Sequence, residues 1–173
     1  SGTSVLNANN SHGAVGAYAA IDHGIKSAKE NGIAAVVIQN TSHFGPAGAF
    51  SKVAADNGMI GLVFGNSDSF VQLYDGVEPF HGTNPISVAV PSGEANPWLL
   101  DMATSSVPFN RVELHRSQKS KLPPGVASDK YGSATIDPFA AEMLTPLGGF
   151  DHGFKGAGLG GLAEIFSAVL SGM

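Results

Sequence analysis

Two short apolar runs, each preceded by a stretch with helical spacing, constrain the fold of this chain most. Residues 33–38 follow apolar positions at helical spacing over 14–31, and residues 59–64 follow a second such stretch over 47–57. Short runs rich in branched apolar residues are typical of strands covered on both faces. Gly32 stands where the first helix would end. The order helix, strand, helix, strand predicts a sheet with helices packed against it.

The rest of the chain predicts four more elements and two irregular stretches. Strands are expected over 86–90 and 98–102, and helices over 107–119 and 159–170. Residues 1–13 and most of 120–153 are expected to be irregular. A loop as long as the second is usually functional or wrapped around another structure. The length of 173 residues predicts one domain with a core of its own.

The charge balance argues against a nucleic-acid partner. The formal net charge is −5, and only 13% of residues are charged, about half the usual share. The basic residues Arg111, Arg116, Lys119 and Lys121 have helical spacing, which indicates a solvated face rather than a nucleic-acid footprint. With 23 glycines and few charges, much of the surface is expected to be covered by a partner subunit, a further domain or a ligand.

The absence of cysteine and of long apolar runs excludes further classes. A chain with no cysteine has no disulfide, no thiolate metal site and no cysteine nucleophile, which fits a cytoplasmic protein. No apolar run approaches the ~20 residues of a membrane span. The chain begins with Ser1 rather than Met, and we expect it to be a piece of a longer protein.

Polar residues follow or precede all four predicted strands. His43 follows the first strand, Asn-Ser-Asp at 66–68 follows the second, Gly-Thr-Asn-Pro at 82–85 precedes the third, and Asp-Met-Ala-Thr-Ser at 101–105 ends the fourth. Ligand crevices in sheet proteins form at such strand ends. Each motif alone is explained by ordinary turn and capping chemistry. Together they predict a site for a polar ligand, with His43 exchanging a proton near neutral pH.

A lysine and a glycine-rich stretch lie near the last predicted helix. Lys155 is expected just before that helix, where an ammonium and helix N–H groups can meet an anionic ligand. Residues 156–161 match G-x-G-x-x-G, but no strand precedes them and no acidic residue follows about twenty positions later. We therefore predict close helix packing at these glycines and not a Rossmann turn.

Two hydrolase classes have little support. No two histidines have the spacing of a zinc helix motif, and no G-x-S-x-G sequence is present. Ser-His-Gly at 11–13 is one further possible site.

Four motifs follow one another along the chain: Thr-Ser-His-Phe-Gly at 41–45, Gly-Thr-Asn-Pro-Ile at 82–86, Leu-Asp-Met-Ala-Thr-Ser at 100–105 and Phe-Lys-Gly-Ala-Gly-Leu at 154–159. In this order they resemble the type-2 malate/L-lactate dehydrogenase family, which includes ureidoglycolate dehydrogenases and Δ1-piperideine-2-carboxylate reductases. The resemblance covers nearly the whole chain. It implies a non-Rossmann α+β fold, a largely antiparallel sheet packed with helices as a two-layer sandwich.

The same resemblance implies a set of site residues. The histidine matching His43 is the proton acceptor of the family, and NAD or NADP is the cofactor. The positions expected to contact the dinucleotide are Ser67, Asp101, Met102, Ala103 and Lys155, with Thr83 in a matching motif. A small-molecule substrate and a cytoplasmic homodimer are expected.

The resemblance is to only part of that family's chain. Ser-His-Gly at 11–13 is not the family's N-terminal Ser-His-Gly motif, because no arginine follows it closely. Arginine suits the carboxylate of a 2-hydroxy acid, yet Arg111 and Arg116 are the only arginines and are expected on an exposed helix. We therefore predict that residues 1–173 are the cofactor-binding part of a longer two-domain dehydrogenase. The alternatives are a non-catalytic nucleotide-binding or assembly domain, and a hydrolase using His43 and Asp101.

Overall fold

The protein divides into two compact units in the computed structural model, which describes residues 1–172. Unit 1 comprises Ser1–Gly65, Ile86–Met102 and the residues from Ile165 onward, and unit 2 comprises Asn66–Pro85 and Ala103–Glu164. In chain order the elements are β1 (Thr3–Ser11), α1 (Gly13–Asn31), β2 (Ala35–Thr41), α2 (Gly48–Asp56), β3 (Gly61–Phe64), β4 (Val71–Gln72), β5 (Pro79–His81), β6 (Ile86–Val90), β7 (Trp98–Met102), α3 (Phe109–Gln118), β8 (Ala127–Ser128), β9 (Met143–Leu144), α4 (Gly149–Glu164) and a π-helical turn (Ile165–Val169).

Helix α1 of unit 1 begins and ends as the sequence predicts. Its first turn is capped by His12, whose Nδ1 accepts a hydrogen bond from the Ala14 N–H at 3.3 Å. Gly32 ends it in the left-handed conformation with φ 84°, and its N–H donates to the Ala28 carbonyl at 2.8 Å. This geometry satisfies a carbonyl that the helix end would leave unpaired.

The sheet beneath α1 differs from the expectation. Residues 3–11 form β1, a strand parallel to β2 with Thr3 opposite Ala35, so the prediction of an irregular start was wrong. The prediction that the run at 33–38 is covered on both faces was also wrong. No residue of β2 is buried, and Ile33 before it is 78% exposed. A continuous run of apolar residues places apolar side chains on both faces of a strand. Helix α1 covers only the face that includes Val36.

The second sheet of unit 1 contains the other three predicted strands, although β3 begins at Gly61 rather than at residue 59 and Leu62 is exposed, so this run is not covered on both faces either. Strands β3, β6 and β7 form an antiparallel sheet in which Ile86 lies opposite both Phe64 and Met102. Helix α2 packs on this sheet, and the Ser51 and Ser87 hydroxyls share a buried hydrogen bond of 2.7 Å.

Unit 2 is built around a small mixed sheet and one hydrophobic cluster. The strand order is β5-β4-β9-β8, with β4 and β9 parallel and the other two pairs antiparallel. Its cluster contains Val71, Val112, Leu122, Ala127, Ala141 and Leu144. Helix α3 contributes Val112 from its buried face.

Arg116 on α3 departs from the prediction of a solvated basic face. It is half-buried, and its guanidinium donates to the Pro138 carbonyl at 2.7 Å and the Ala141 carbonyl at 2.8 Å. Because five guanidinium N–H donors can satisfy several carbonyls at once, Arg116 secures the loop before β9.

Helix α4 is longer than predicted and starts at Gly149 rather than at residue 159. Its backbone leaves helical geometry at His152, with φ −133° and ψ 16°. Glycine has a low helix propensity, so packing rather than propensity forms this helix. The α+β class with antiparallel sheets is confirmed, although β1 with β2 and β4 with β9 are parallel pairs. No helix among residues 1–172 is long and apolar enough to cross a bilayer.

Candidate functional site

His43 lies in the loop between β2 and α2 of unit 1, and its side chain is exposed. Its Nδ1 accepts a hydrogen bond from the Gly45 N–H at 3.2 Å. Gly45 has φ 84°, a left-handed conformation that glycine adopts without steric cost. Gly45 therefore forms a turn directly behind His43.

The start of α1 supports this loop from below. The Gly13 N–H donates to Ser42 Oγ at 3.1 Å. A methyl group at Gly13 would lie 2.2 Å from the Ser42 carbonyl oxygen and 2.4 Å from the His43 carbonyl oxygen. Because only glycine allows such an approach, Gly13 and Ser42 fix the backbone that presents His43. The possible site at 11–13 thus supports the histidine loop.

The hydrogen bond to Gly45 selects one form of the neutral imidazole. With Nδ1 as acceptor, the ring proton of neutral His43 lies on Nε2. This form donates a hydrogen bond from Nε2. To accept a proton there, the ring must exchange tautomer and release Gly45, which costs one long hydrogen bond at an exposed position.

Asp101 and Met102 end β7 in the same unit. The Gly48 N–H at the start of α2 donates to Asp101 Oδ2 at 2.8 Å. An exposed carboxylate at a helix start is favourable, because the first N–H groups of a helix lack internal partners. Asp101 therefore holds α2, the helix that follows the His43 loop, and Met102 lies half-buried opposite Ile86.

Ser67 and Thr83 are in direct contact in unit 2. The Thr83 N–H donates to Ser67 Oγ at 3.0 Å, and the two hydroxyl oxygens lie 3.3 Å apart. Thr104, next to Ala103, donates its N–H to the Thr83 carbonyl at 2.9 Å. A methyl group at Gly82 would lie 2.3 Å from Ser67 Oγ. The structure therefore brings Ser67, Thr83 and Ala103 to one place. Position 82, between them, has no room for a residue larger than glycine.

Lys155 is exposed and lies within α4. The prediction that it lies just before the helix was therefore wrong. Its Nζ lies 5.9 Å from the centre of the Phe154 ring. Among residues 1–172 it forms no ion pair, so its charge is available to an anion. The glycines at 156–161 lie inside α4, which confirms that they form no Rossmann turn.

Asn84 is the residue that sequence reasoning missed at this place. It belongs to the Gly-Thr-Asn-Pro motif at 82–85, whose pattern alone assigns the asparagine no role. Its side chain is fully buried and hydrogen-bonded to both the Ser67 backbone and α4. A polar residue before proline in a turn was the available signal.

One histidine of unit 2 has a shifted pKa. His81 is the last residue of β5 and lies close to Gly160 and Gly161 of α4. Burial lowers the pKa of His81 below its usual value, and the negative charge of Glu164 opposes that shift. Among residues 1–172, no group of three acidic or histidine side chains could hold a metal ion.

The predicted site residues fall into two groups, one in each unit. His43, Asp101 and Met102 belong to unit 1, whereas Ser67, Thr83, Ala103 and Lys155 belong to unit 2. Hydroxyl groups and an unpaired lysine in unit 2 are the kinds of group that bind ribose and phosphate of a dinucleotide.

The match to a family model decides which family this arrangement belongs to. The model described as malate/L-lactate dehydrogenase matches residues 1–173. The chain belongs to this family. The malate/L-lactate dehydrogenase family is the one whose motifs the sequence resembles, so that prediction is confirmed.

Curated relatives in the malate/L-lactate dehydrogenase family agree with this assignment. The chain is 40% identical over 166 residues to malate dehydrogenase of Pyrococcus horikoshii, covering 92% of the chain and 46% of that protein. It is 38% identical over 172 residues to ureidoglycolate dehydrogenase (NAD(+)) of Escherichia coli K12, covering 99% of the chain and 48% of that protein. The chain thus spans about half the length of these relatives.

Solved structures of the family share the fold. Malate dehydrogenase from Entamoeba histolytica matches with a TM-score of 0.92 and 37% identity, over 98% of this chain and 50% of that chain. Delta1-piperideine-2-carboxylate reductase from Pseudomonas syringae matches with a TM-score of 0.90 and 28% identity, over 98% of this chain and 51% of that chain.

Proposed function

We propose that the chain is the cofactor-binding part of an NAD(P)-dependent oxidoreductase. The enzyme would transfer hydride between the nicotinamide and a small 2-hydroxy acid or its 2-oxo acid, or a cyclic imino acid. The observation that supports this most is the family match over the whole chain together with an exposed histidine presented by a rigid turn. The relatives named as malate dehydrogenase and ureidoglycolate dehydrogenase support the same reaction class.

His43 would exchange the substrate proton. When bound, the nicotinamide supplies the hydride acceptor or donor. The Nε2 of His43 is directed away from the Gly45 bond and is free to meet the substrate oxygen or nitrogen. In oxidation it takes the hydroxyl proton, and in reduction it returns one. Loss of the Gly45 bond accompanies each change of tautomer.

The residues that we propose as dinucleotide contacts occur in each of the two units. Ser67 and Thr83 offer adjacent hydroxyl groups, and Lys155 offers a positive charge with no ion-pair partner among residues 1–172. Asp101 and Met102, the last two residues of β7, and Ala103 after them are the remaining proposed contacts. NAD and NADP both remain within this proposal.

The substrate carboxylate would be bound by residues outside this chain. Arg116 is occupied by the Pro138 and Ala141 carbonyls and by Glu113 at 2.6 Å. Arg111 is exposed on α3. We also propose that the protein is cytoplasmic and forms a homodimer. Exposed large apolar side chains, such as Trp98 and Phe166, support the homodimer.

Replacement of His43 by alanine tests the proposal. In the full-length protein, His43→Ala should lower kcat by about 10²–10⁴-fold, because general acid–base catalysis contributes that much. Binding of the nicotinamide cofactor should stay within about threefold of the wild-type value, since only the proton transfer is removed. The measurements are steady-state turnover and a fluorescence titration with NADH and NADPH.

His23→Ala removes an exposed imidazole from α1 and is the matched control, expected to keep wild-type turnover. Near-normal turnover of His43→Ala would remove the histidine from the mechanism. Failure of the wild-type protein to bind either dinucleotide would instead favour the assembly domain. Turnover of an ester or amide without nicotinamide would favour the hydrolase.

A further inference from the structure

We propose that Asn84 is a positioning residue that couples the Ser67 turn to helix α4, the helix bearing Lys155. The inference rests on the proposed function, because Ser67 and Lys155 matter only if they hold the dinucleotide. Asn84 itself is buried and would not touch the cofactor.

The side-chain amide of Asn84 has three hydrogen-bond partners. Its Oδ1 accepts from the Ser67 N–H at 3.2 Å. Its Nδ2 donates to the Gly160 carbonyl at 3.1 Å and to Glu164 Oε2 at 2.6 Å. An amide offers two donor hydrogens and an acceptor oxygen, so this set uses both kinds of group.

The amide is also fixed by its surroundings. Asn84 has φ 26° and is 0% exposed. Its carbonyl accepts from Thr104 Oγ1 at 3.1 Å. A methyl group at Gly82 would lie only 2.6 Å from Asn84 Oδ1. The side chain therefore has little room to move away from its partners.

Two proposed cofactor contacts depend on this amide. Ser67 is held through its backbone N–H by Asn84, and Ser67 Oγ in turn accepts from the Thr83 N–H at 3.0 Å. Gly160 and Glu164 lie about one and a half and two and a half turns beyond Lys155 on α4. A change in Asn84 thus alters both the hydroxyl pair and the helix of Lys155, while the His43 turn has its own hydrogen bonds.

The substitution Asn84→Asp tests the coupling with a pH signature. The new carboxylate still accepts from the Ser67 N–H but faces the Glu164 carboxylate and the Gly160 carbonyl without a donor. The titratable groups at this cluster are Glu164 of α4 and His81 of β5. Two carboxylates at hydrogen-bond distance share a proton at low pH and repel each other when both are ionised.

In the full-length protein at pH 8, Asn84→Asp should weaken NAD(P)H binding by about 10–100-fold, with kcat within about threefold. The defect should shrink as the pH falls toward 5.5, because a shared proton restores a donor between the two side chains. Asn84→Ala introduces no titratable group, so this variant should bind NAD(P)H weakly at both pH values. The measurements are KM for the cofactor and a fluorescence titration.

The double variant Asn84→Asp with Glu164→Gln should recover most of the binding at pH 8, since the new amide donates to the new carboxylate. Asn57→Asp is the matched control, because Asn57 is exposed and donates to the Val53 carbonyl at 2.9 Å. That variant should bind the cofactor as the wild-type protein does.

Hydrogen exchange adds a readout that needs no cofactor. Asn84→Ala should speed exchange both at Ser67 and in α4 around Gly160. Normal cofactor binding by Asn84→Asp at pH 8, a defect unchanged by pH and by Glu164→Gln, or exchange that rises at only one of the two segments would each overturn the inference. A wild-type protein that binds neither dinucleotide would overturn the proposed function and this role with it.

Discussion

Asp101 shows at the residue scale that one side chain can serve both the fold and the proposed site. Its Oδ2 accepts from the Gly48 N–H at 2.8 Å and so completes the start of α2. Ordinary capping was the alternative explanation of this motif, and the structure contains that contact. The other carboxylate oxygen remains for a ligand such as a ribose hydroxyl, so capping and binding are compatible.

His81 gives the protein a stability that depends on pH. Burial lowers the pKa of His81 in the folded state below the unfolded value near 6.5, with Glu164 opposing. Above that value the ring is neutral in both states. As the pH falls through 6.5, the unfolded chain binds a proton that the folded chain disfavours, so the free energy of unfolding decreases.

His81→Asn should therefore flatten the loss of stability between pH 7.5 and 5.5. The measurement is the urea midpoint of each protein at the two pH values. If the variant and the wild-type protein lose equal amounts, the lowered pKa of His81 makes no contribution.

The site residues differ in how far the sequence could predict them. His43 follows a recognisable strand and lies in a glycine turn, so local pattern was sufficient to single it out. Asn84 acts through partners that are 17, 76 and 80 positions away along the chain. No local pattern encodes such distant contacts, so its role required the structure.

At the scale of elements, α4 is a helix maintained by close contacts at its glycines. Gly156 donates its N–H to the Leu147 carbonyl at 3.1 Å. Gly153 and Gly160 are buried against Pro146 and Thr104 in the same unit. Low helix propensity hid the first ten residues of α4 in the sequence, because tertiary packing overrides propensity.

Two glycines of α4 should respond oppositely to alanine. A methyl group at Gly156 would lie 2.2 Å from the Leu147 backbone nitrogen, whereas nothing lies within 4 Å of one at Gly158. Gly156→Ala should lower the free energy of unfolding by about 1–3 kcal/mol through overpacking. Gly158→Ala should stabilise by about 0.5–1 kcal/mol through helix propensity.

Urea denaturation of both variants measures the difference. The same sign of effect for the two substitutions would contradict the packing explanation of α4.

Some strands were predicted from the sequence and others were not, because tertiary pairing also overrides local pattern in strands. The bounds of β6 and β7 match the prediction, and most residues of β6 are buried, although Trp98 and Leu99 of β7 are exposed. The second half of β1 contains four asparagine and serine residues, a pattern typical of a turn. Asn9 and Asn10 also have positive φ. Pairing with β2 makes it a strand.

At the scale of the whole molecule, the sequence predicted one cofactor-binding domain, and the structure contains two compact units. Each has its own buried residues: Phe50 packs against the rings of Tyr18 and Phe44 in unit 1, and Val112 and Leu144 lie in the cluster of unit 2. Composition and length cannot separate two such small cores, because the chain crosses between the units several times. That all residues form one functional domain stays a prediction.

Dinucleotide binding should stabilise the folded full-length protein. A ligand at 100 times its Kd adds about 2.7 kcal/mol to the free energy of unfolding. The preferred cofactor, NAD or NADP, should raise the melting temperature at a concentration where the other does not. Thermal scans with each dinucleotide at equal concentration measure this preference.

An absence of any shift with either dinucleotide at millimolar concentration would contradict the proposed cofactor. Adenosine monophosphate at the same concentration is the control for nonspecific nucleotide effects.

The three separate segments of unit 1 have a consequence for biosynthesis. Its first segment ends at Gly65, but the segment from Ile165, whose Ser171 carbonyl meets the Gln39 amide, is translated a hundred residues later. At about 5–20 residues per second, a ribosome needs roughly 5–20 s to make that stretch. For that interval Gln39 of β2 has no Ser171 carbonyl to bind and Phe64 of β3 has no Phe166 ring to stack on, so the nascent unit 1 stays incomplete until the last segment is made.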